Sequence, residues 1–280
     1  MPATYSQDGG GGDWNAAASW TGGAAPGAGD DVGMLAGVID FVTNLPTLGV
    51  DYGSLRVGRQ FAGSIGAPGG NVLQVGSIPK IIFEGERCRR AYIEVDTGET
   101  VTDFFVEATS ENADGLVITR NGTGVITRLR IRGGHNIVLA GTGQATRFIM
   151  ESIARMMRAR LESGASVATA MIGAGIVDCY TAITSELHLA GGVWNHFGQT
   201  LFDIPTVIVA RGATLNFWSG GGTLTNVYNF GTINCNGGQG KARAIANYYD
   251  CGGIIDRRGL GNSVLITNRF MSGGQILEAA

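Results

Sequence analysis

Between Leu187 and Arg257 one pattern of apolar and polar positions comes round four times, in LHLAGGVWNH, VIVARGATLNF, VYNFGTINCN and YYDCGGIIDR. Each pass alternates apolar residues with others, breaks at a glycine and resumes as a second apolar run. Alternation with period two is what a strand with one buried face requires. The breaking glycines, Gly192, Gly212, Gly231 and Gly252, are spaced 20, 19 and 21 residues apart. A strand–glycine–strand unit of this length cannot bury its apolar face alone and does so by stacking on its neighbours as a β-solenoid. The four glycines are expected at equivalent corners of consecutive coils.

The same grammar runs upstream. VIDFV, SLRVG and FAGSIGAPGGNVLQVG lie between Val38 and Gly76, followed by KIIFEGE, AYIEVDTGETVTDFFVEA and GLVITRNGTGVITRLRIRGGHNIVLAG. Each is a short alternating run broken at Gly or Asn-Gly. Phe148–Leu161 (FIMESIARMMRARL) also shows near-helical spacing at Ile149, Ile153, Met156 and Met157. Aligned with TVIVARGATLNF it reads instead as strand, with Met157, Ala159 and Leu161 on one face and Gly164 over Gly212. The repeat outweighs the helical spacing. VLITNRFMSGGQILEAA, after Asn262, holds one more apolar run, which either closes the last coil or exchanges with a neighbouring subunit.

Composition supports this picture. The chain has 280 residues, 44% of them hydrophobic, enough for a large core, and its 47 glycines follow no collagen period. Glycine between short apolar runs suits tight corners, and only 6 prolines interrupt the ladders. A net charge of −3 offers no global field for nucleic acid. Cys88, Cys179, Cys235 and Cys251 are scattered without CxxC; spacing leaves a Cys235–Cys251 bridge open, but the set fits reduced core thiols better. MPATYSQDGGGGDWN has no basic and no apolar segment of a signal peptide, and no run approaches the 18 apolar residues of a membrane span.

Residues 1–37 are expected as an N-terminal arm and cap, and residues 38–280 as one β-helix domain of about 10 coils. An uncapped solenoid end would present an unpaired strand edge, and Trp14 and Trp20 are placed to tuck a loop against the first coil. The arrangement W-N-x3-S-W-T-G-G-x2-P-G-x-G-D-D-V, from Trp14 to Val32, resembles the opening segment of bacterial and phage β-solenoid surface proteins. Gly53–Gly76 resembles rungs of phage-encoded β-helical virion proteins. The resemblance implies an all-β, single-stranded right-handed parallel β-helix and a structural place in a virion. It carries no catalytic residue.

Glycan-cleaving enzymes also use this scaffold, and they need two or three carboxylates converging on one face. Coils stack about 4.8 Å apart, so such carboxylates should recur at one phase of the repeat. Asp203, Asp250 and Asp256 instead fall 9 before Gly212, 2 before Gly252 and 4 after it. Asp30 and Asp31 sit in the cap, where Asp closes turns. Asp96, Asp103 and Glu107 lie within two strands with nothing to bring them together. The NTD, DD, GHG and RIK motifs of β-helical polygalacturonases are absent, and Gly133-Gly134-His135-Asn136 lacks their partners. His135, His188 and His196 lack a third metal ligand, and no phosphate-binding glycine loop or nucleophile elbow is present. No catalytic, metal or cofactor site is expected.

Two surface features remain. Arg128, Arg130 and Arg132 alternate with Leu129 and Ile131, which puts three guanidiniums on one strand face; Arg158 and Arg160, and Arg87 and Arg89, repeat the device. Stacked on successive coils they would form a basic stripe for an acidic partner; Glu84, Glu86 and Glu162 could equally neutralise them. The second feature is aromatic: Trp194, Phe197, Phe217, Trp218, Tyr228, Phe230, Tyr248 and Tyr249 all lie in the repeats, with Asn195, Asn216 and Asn234 expected as a hydrogen-bonded ladder at a corner. The expectation is a non-enzymatic capsid decoration (cement) protein, assembled in the host cytoplasm and bound to the major capsid protein as a homotrimer. Trp14, Trp20 and the arginines are its candidate contacts. The alternatives are a tail fibre or spike binding cell-surface glycan, or a polysaccharide-degrading enzyme. No nucleic acid, membrane or cofactor is expected.

Overall fold

In a computed structural model the chain is all-β, a right-handed parallel β-solenoid. The structure describes residues 3–6, 12–69, 71–109, 115–151, 157–197, 203–218, 221–237, 243–258 and 264–278. Among these the only helical element is one 3-10 turn, Ala17–Ser19. The fold divides into two compact units: Met1–Thr146 with Ala154–Ala159, and Arg147–Ile153 with Arg160–Ala280.

In the first unit Ala3–Tyr5, Asp31–Gly37, Ser54–Phe61, Ile78–Phe83, Thr100–Val106 and Val125–Ile131 pair in that order, all parallel. Facing strands run from Ser64–Ile65 and Leu73–Val75, which both pair with Arg90–Val95, on to Leu116–Arg120 and Ile137–Gly141. Asp31–Gly37 pairs with Ser54–Phe61, so the coils begin inside the segment expected as cap. Trp14 and Trp20 meet edge to face at 4.8 Å, and Trp20 stacks on Phe41 at 5.0 Å. The Trp20 indole N–H donates to the Trp14 carbonyl at 2.7 Å.

The second unit holds the repeats. Its first sheet runs Ser166–Ile172, Ala182–Leu189, Ile204–Val209, Gly222–Asn229, Arg243–Asp250 and Val264–Met271. Its second runs Ile176–Cys179, Val193–His196, Thr214–Phe217, Thr232–Asn234, Ile254–Asp256 and Gln275–Leu277. Alternation puts Leu187, Val207, Val227 and Tyr248 in one inward column, each fully buried. Burying such a side chain contributes about 1.5–3 kcal/mol, and only the neighbouring coil makes that burial available.

The four glycines do occupy the same corner, between the first sheet and the second. Within it they are offset by one position. Register places Gly192, Ala213, Gly231 and Gly253 in one column, with Gly212 and Gly252 one residue earlier. The cause is corner length, which varies from two to four residues between strand ends.

Phe148–Leu161 contributes to two strands, Gln144–Met150 and Arg158–Leu161, with residues 152–156 outside the described set. Met157, Ala159 and Leu161 share the buried side, as their alternation requires. Gly164, however, is half a coil away from the expected position. Tyr180 N–H donates to the Leu161 carbonyl at 2.8 Å, which puts Arg158–Leu161 beside Ile176–Cys179 in the second sheet. Gly164 therefore turns the opposite corner, and it does not lie over Gly212.

Candidate interaction surface

The outward side of the first sheet in the second unit carries two straight columns. One runs Met171, His188, Ile208, Tyr228, Tyr249, Phe270. Its aromatic rungs stack nearly parallel: Tyr228 on Tyr249 at 4.7 Å and 9°, Tyr249 on Phe270 at 4.8 Å and 10°. Met171, Tyr228 and Phe270 are 41%, 36% and 51% exposed, so the column forms an apolar strip open to solvent. The second column is Asn226, Asn247, Asn268. Each amide donates back to the carbonyl oxygen of the previous rung, at 3.0 Å and 2.9 Å. A primary amide has two donors and two acceptor sites, so each rung keeps hydrogen-bonding capacity outside the ladder. Phe270 and this second ladder escaped the sequence reading, although both ladders announce themselves by recurrence at 21 residues.

Of the eight aromatic residues of the repeats, about half of which are expected as core stacks, Trp194, Phe217 and Tyr248 point into the core. Phe197 and Trp218 belong to another aromatic cluster: Tyr180 stacks on Phe197 at 5.1 Å, and Phe197 meets Trp218 tilted at 49° and 5.4 Å. Phe230 stays 45% exposed at the corner. The expected asparagine ladder forms in part, and along strands of the second sheet rather than at a corner: Asn216 donates to Asn195 at 2.7 Å and Asn195 to Asp178 at 2.8 Å, while Asn234, next in register, accepts from Asn236 N–H at 2.9 Å.

Arg128, Arg130 and Arg132 share one outward face, but they form no basic stripe. The strand beneath them offers Asp103, Phe105 and Glu107 at the matching positions. Arg128 forms a two-pronged ion pair with Asp103, its Nη2 at 2.7 Å from Oδ2. That hydrogen bond holds the Asp103 carboxyl below its usual range. Arg130 and Arg132 lie over the Phe105 ring at 5.3 and 5.1 Å, and Arg132 reaches Glu107 at 3.5 Å. Arg158 and Arg160 are both exposed, and Arg160 pairs with Glu162 at 2.7 Å and lies over Tyr180 at 5.3 Å. Arg89 is held by Asp40 at 3.0 Å, and Arg87 is exposed. Trp14 and Trp20, expected as contacts for a partner, are 1% and 0% exposed. Each packs against the other and against Phe41 under the first coils, which leaves no ring surface for a partner.

The carboxylates weighed as catalytic are hydrogen-bonded to backbone and neighbouring side chains. Asp203 accepts from Thr223 N–H at 2.8 Å and Asp30 from Gly27 N–H at 2.9 Å; Asp31 accepts from the Ser54 hydroxyl at 2.7 Å. Asp96 accepts from Gly49 and Thr97 N–H at 3.0 and 2.7 Å. Asp256 is held by Arg258, whose hydrogen bond pulls its carboxyl down to about 2. Asp250, 1% exposed, takes the corner N–H groups of Gly252 and Gly253 at 2.9 and 3.2 Å. Asn229 does the same one coil earlier, accepting from Gly231 N–H at 3.1 Å. The inward column Leu189, Val209, Asn229, Asp250 thus turns polar where corner donors must be satisfied.

His135 exchanges hydrogen bonds through its backbone with Thr109, at 2.6 and 2.8 Å. His188 stands in the apolar strip, and His196 is buried between Cys179 and Phe217 in register. Among the described residues no three His, Cys, Asp or Glu side chains converge as a metal site. Burial raises the thiols of Cys88 and Cys179 to about 12 and of Cys235 to about 11, and none of the four cysteines is in a disulfide. Comparison with known proteins adds no relative: no family model, no curated protein and no solved structure matches this chain.

Proposed function

We propose that this chain is a non-enzymatic structural protein of a phage virion, an oligomeric decoration protein seated on the major capsid protein of the outer head. The virion assignment rests on the resemblance of Trp14–Val32 and Gly53–Gly76 to phage β-solenoid segments. The observation that carries a protein-binding role is the apolar strip from Met171 to Phe270. Exposed contiguous apolar surface of this kind is characteristic of protein contact sites. The alternative partner for aromatic residues, a glycan, needs ring faces on which a sugar can lie. Here both faces of Tyr249, and one face each of Tyr228 and Phe270, are taken up within the stack, at 4.7 and 4.8 Å. What the strip offers is mainly ring edges and aliphatic groups, which favour a protein partner. The carboxylates, engaged with backbone and arginine, support the non-enzymatic part of the reading.

The test is co-sedimentation with undecorated capsids. The wild-type protein should pellet with them, and Ile208→Glu, a charge in the middle of the strip, should reduce binding at least tenfold while the fold survives. Arg130→Glu, on a face already neutralised by Asp103 and Glu107, should bind nearly as wild type. A wild-type protein that ignores capsids, or one that releases reducing ends from host capsule or lipopolysaccharide, would overturn the proposal.

A further inference from the structure

The last strand of the first sheet, Val264–Met271, pairs with Arg243–Asp250 on one side. Among the described residues no strand pairs with its other side. Its side chains are correspondingly open: Leu265 is 66% exposed, Phe270 51% and Met271 48%, whereas Val264 and Ile266 are 1% and 7% exposed. A parallel sheet edge with apolar side chains is a template for another strand, and folds ordinarily blunt such edges with charge, proline or a cover. This strand has Arg269 as its one charge, and Arg269 is tied to Glu278 at 3.4 Å.

Register with the preceding coil fixes which way each side chain points. Val264, Ile266, Arg269 and Met271 continue the inward column positions of Arg243, Ile245, Tyr248 and Asp250. Leu265, Asn268 and Phe270 continue the outward positions of Ala244, Asn247 and Tyr249, and Thr267 is exposed beside Asn268. From Val264 to Met271 the strand therefore reads in, out, in, out, out, in, out, in. That order is the same read backwards.

A strand with this symmetry is complementary to itself in antiparallel pairing, because residues directly opposite across an antiparallel pair share a face. We propose that the free edge of Val264–Met271 is an interface with a second copy of this chain, paired antiparallel about a two-fold axis between Thr267 and Asn268. In that register Leu265 of each copy lies opposite Phe270 of the other, so the two most exposed apolar side chains of the strand cover one another twice. Val264 faces Met271 on the inner side, and Ile266 faces the aliphatic stem of Arg269, whose head remains with Glu278. Asn268 meets Thr267, a polar pair at the axis. A strand edge accepts one strand, so the contact is closed at two copies and isologous. The inference is independent of the virion assignment.

The register is testable by exchanging its central apolar pair for charges. Light scattering and sedimentation velocity of the full 280-residue chain should give twice the 29.1 kDa protomer mass. Leu265→Glu and Phe270→Lys, each on an outward-pointing side chain, should each lower dimer affinity at least tenfold with an unchanged circular dichroism spectrum. The double variant Leu265→Glu/Phe270→Lys places opposite charges across the axis and should recover the dimer at low salt, losing it again as salt rises. A readout that needs no variant is amide hydrogen exchange, which should slow across Val264–Met271 as protein concentration increases. A monomer, a trimer or an open polymer for the wild type, dimeric single variants, a double variant that stays monomeric, or exchange indifferent to concentration would each overturn the proposal.

Discussion

Gly231→Ala is expected to destabilise the second unit by at least about 3 kcal/mol, the upper range for overpacking a close-packed site. A Cβ built on Gly231 would lie 2.3 Å from the Ala210 carbonyl oxygen and 2.6 Å from that of Ala213. Both obstacles are backbone, and the Ala213 oxygen already accepts the Thr232 N–H at 3.0 Å. Relief would therefore cost ladder hydrogen bonds in the same corner. Gly212→Ala provides the contrast. Gly212 has a φ of +83°, but nothing lies within 4 Å of its added Cβ. Its substitution costs only the left-handed backbone preference, about 1–2 kcal/mol. Chemical denaturation of the two variants checks both. Equal losses would mean that conformation, rather than space, governs the corner.

The second large effect is pH dependence centred on His196. Its ring is fully buried, and burial lowers its pKa to about 4 from the 6.5 of a free side chain. Between these values the unfolded chain takes up a proton that the folded chain refuses. Stability is accordingly intact above about pH 6.5 and falls as pH drops towards 4. The full window corresponds to about 3 kcal/mol, of which about 2 kcal/mol is lost between pH 7 and pH 5. Asp103 and Asp256, with lowered pKa values, add to acid destabilisation only below the ordinary carboxylate range. Glu94, whose pKa is raised by burial, acts in the opposite sense. The difference between wild type and His196→Phe therefore isolates the histidine. His196→Phe extends the register column that holds Phe217 and should flatten the curve from pH 7 to 5. Parallel curves for the two proteins would exclude His196 as the source.

The coil pattern was legible because period-two alternation and a 19-to-21-residue recurrence are one-dimensional signals. Which glycine lies over which was not. That depends on corner length, and Ala213 takes a place that glycine spacing alone would never assign to it. Gly164 shows the same limit at larger scale: both corners of a coil are glycine-rich, so alignment by glycine slipped half a turn. Period-two alternation by itself places Arg128, Arg130 and Arg132 on one face. Its neutrality was hidden because Asp103 stands 25 residues before Arg128, one coil away, and only the structure brings that coil beneath it. Trp14 and Trp20 were legible as residues that tuck a loop. Their burial under Phe41 depends on packing that no local pattern records. The Tyr228–Tyr249–Phe270 strip recurs every 21 residues as Asn-x-aromatic, but it becomes one surface only when stacking of the coils puts its members in a single outward column.

The variable corner between the two sheets has a meaning for lineage as well as for packing. A residue gained or lost inside a strand reverses every later side chain between core and surface unless a bulge absorbs it, as happens where Ala182–Leu189 carries one residue more than Ser166–Ile172. The corners of the second unit already run at two, three and four residues while the paired strands on both sides keep their register. Length change can thus accumulate there without reaching the ladders. The bends are where descendants of this chain would diverge in length, while the strands between them admit a length change only where a bulge absorbs it.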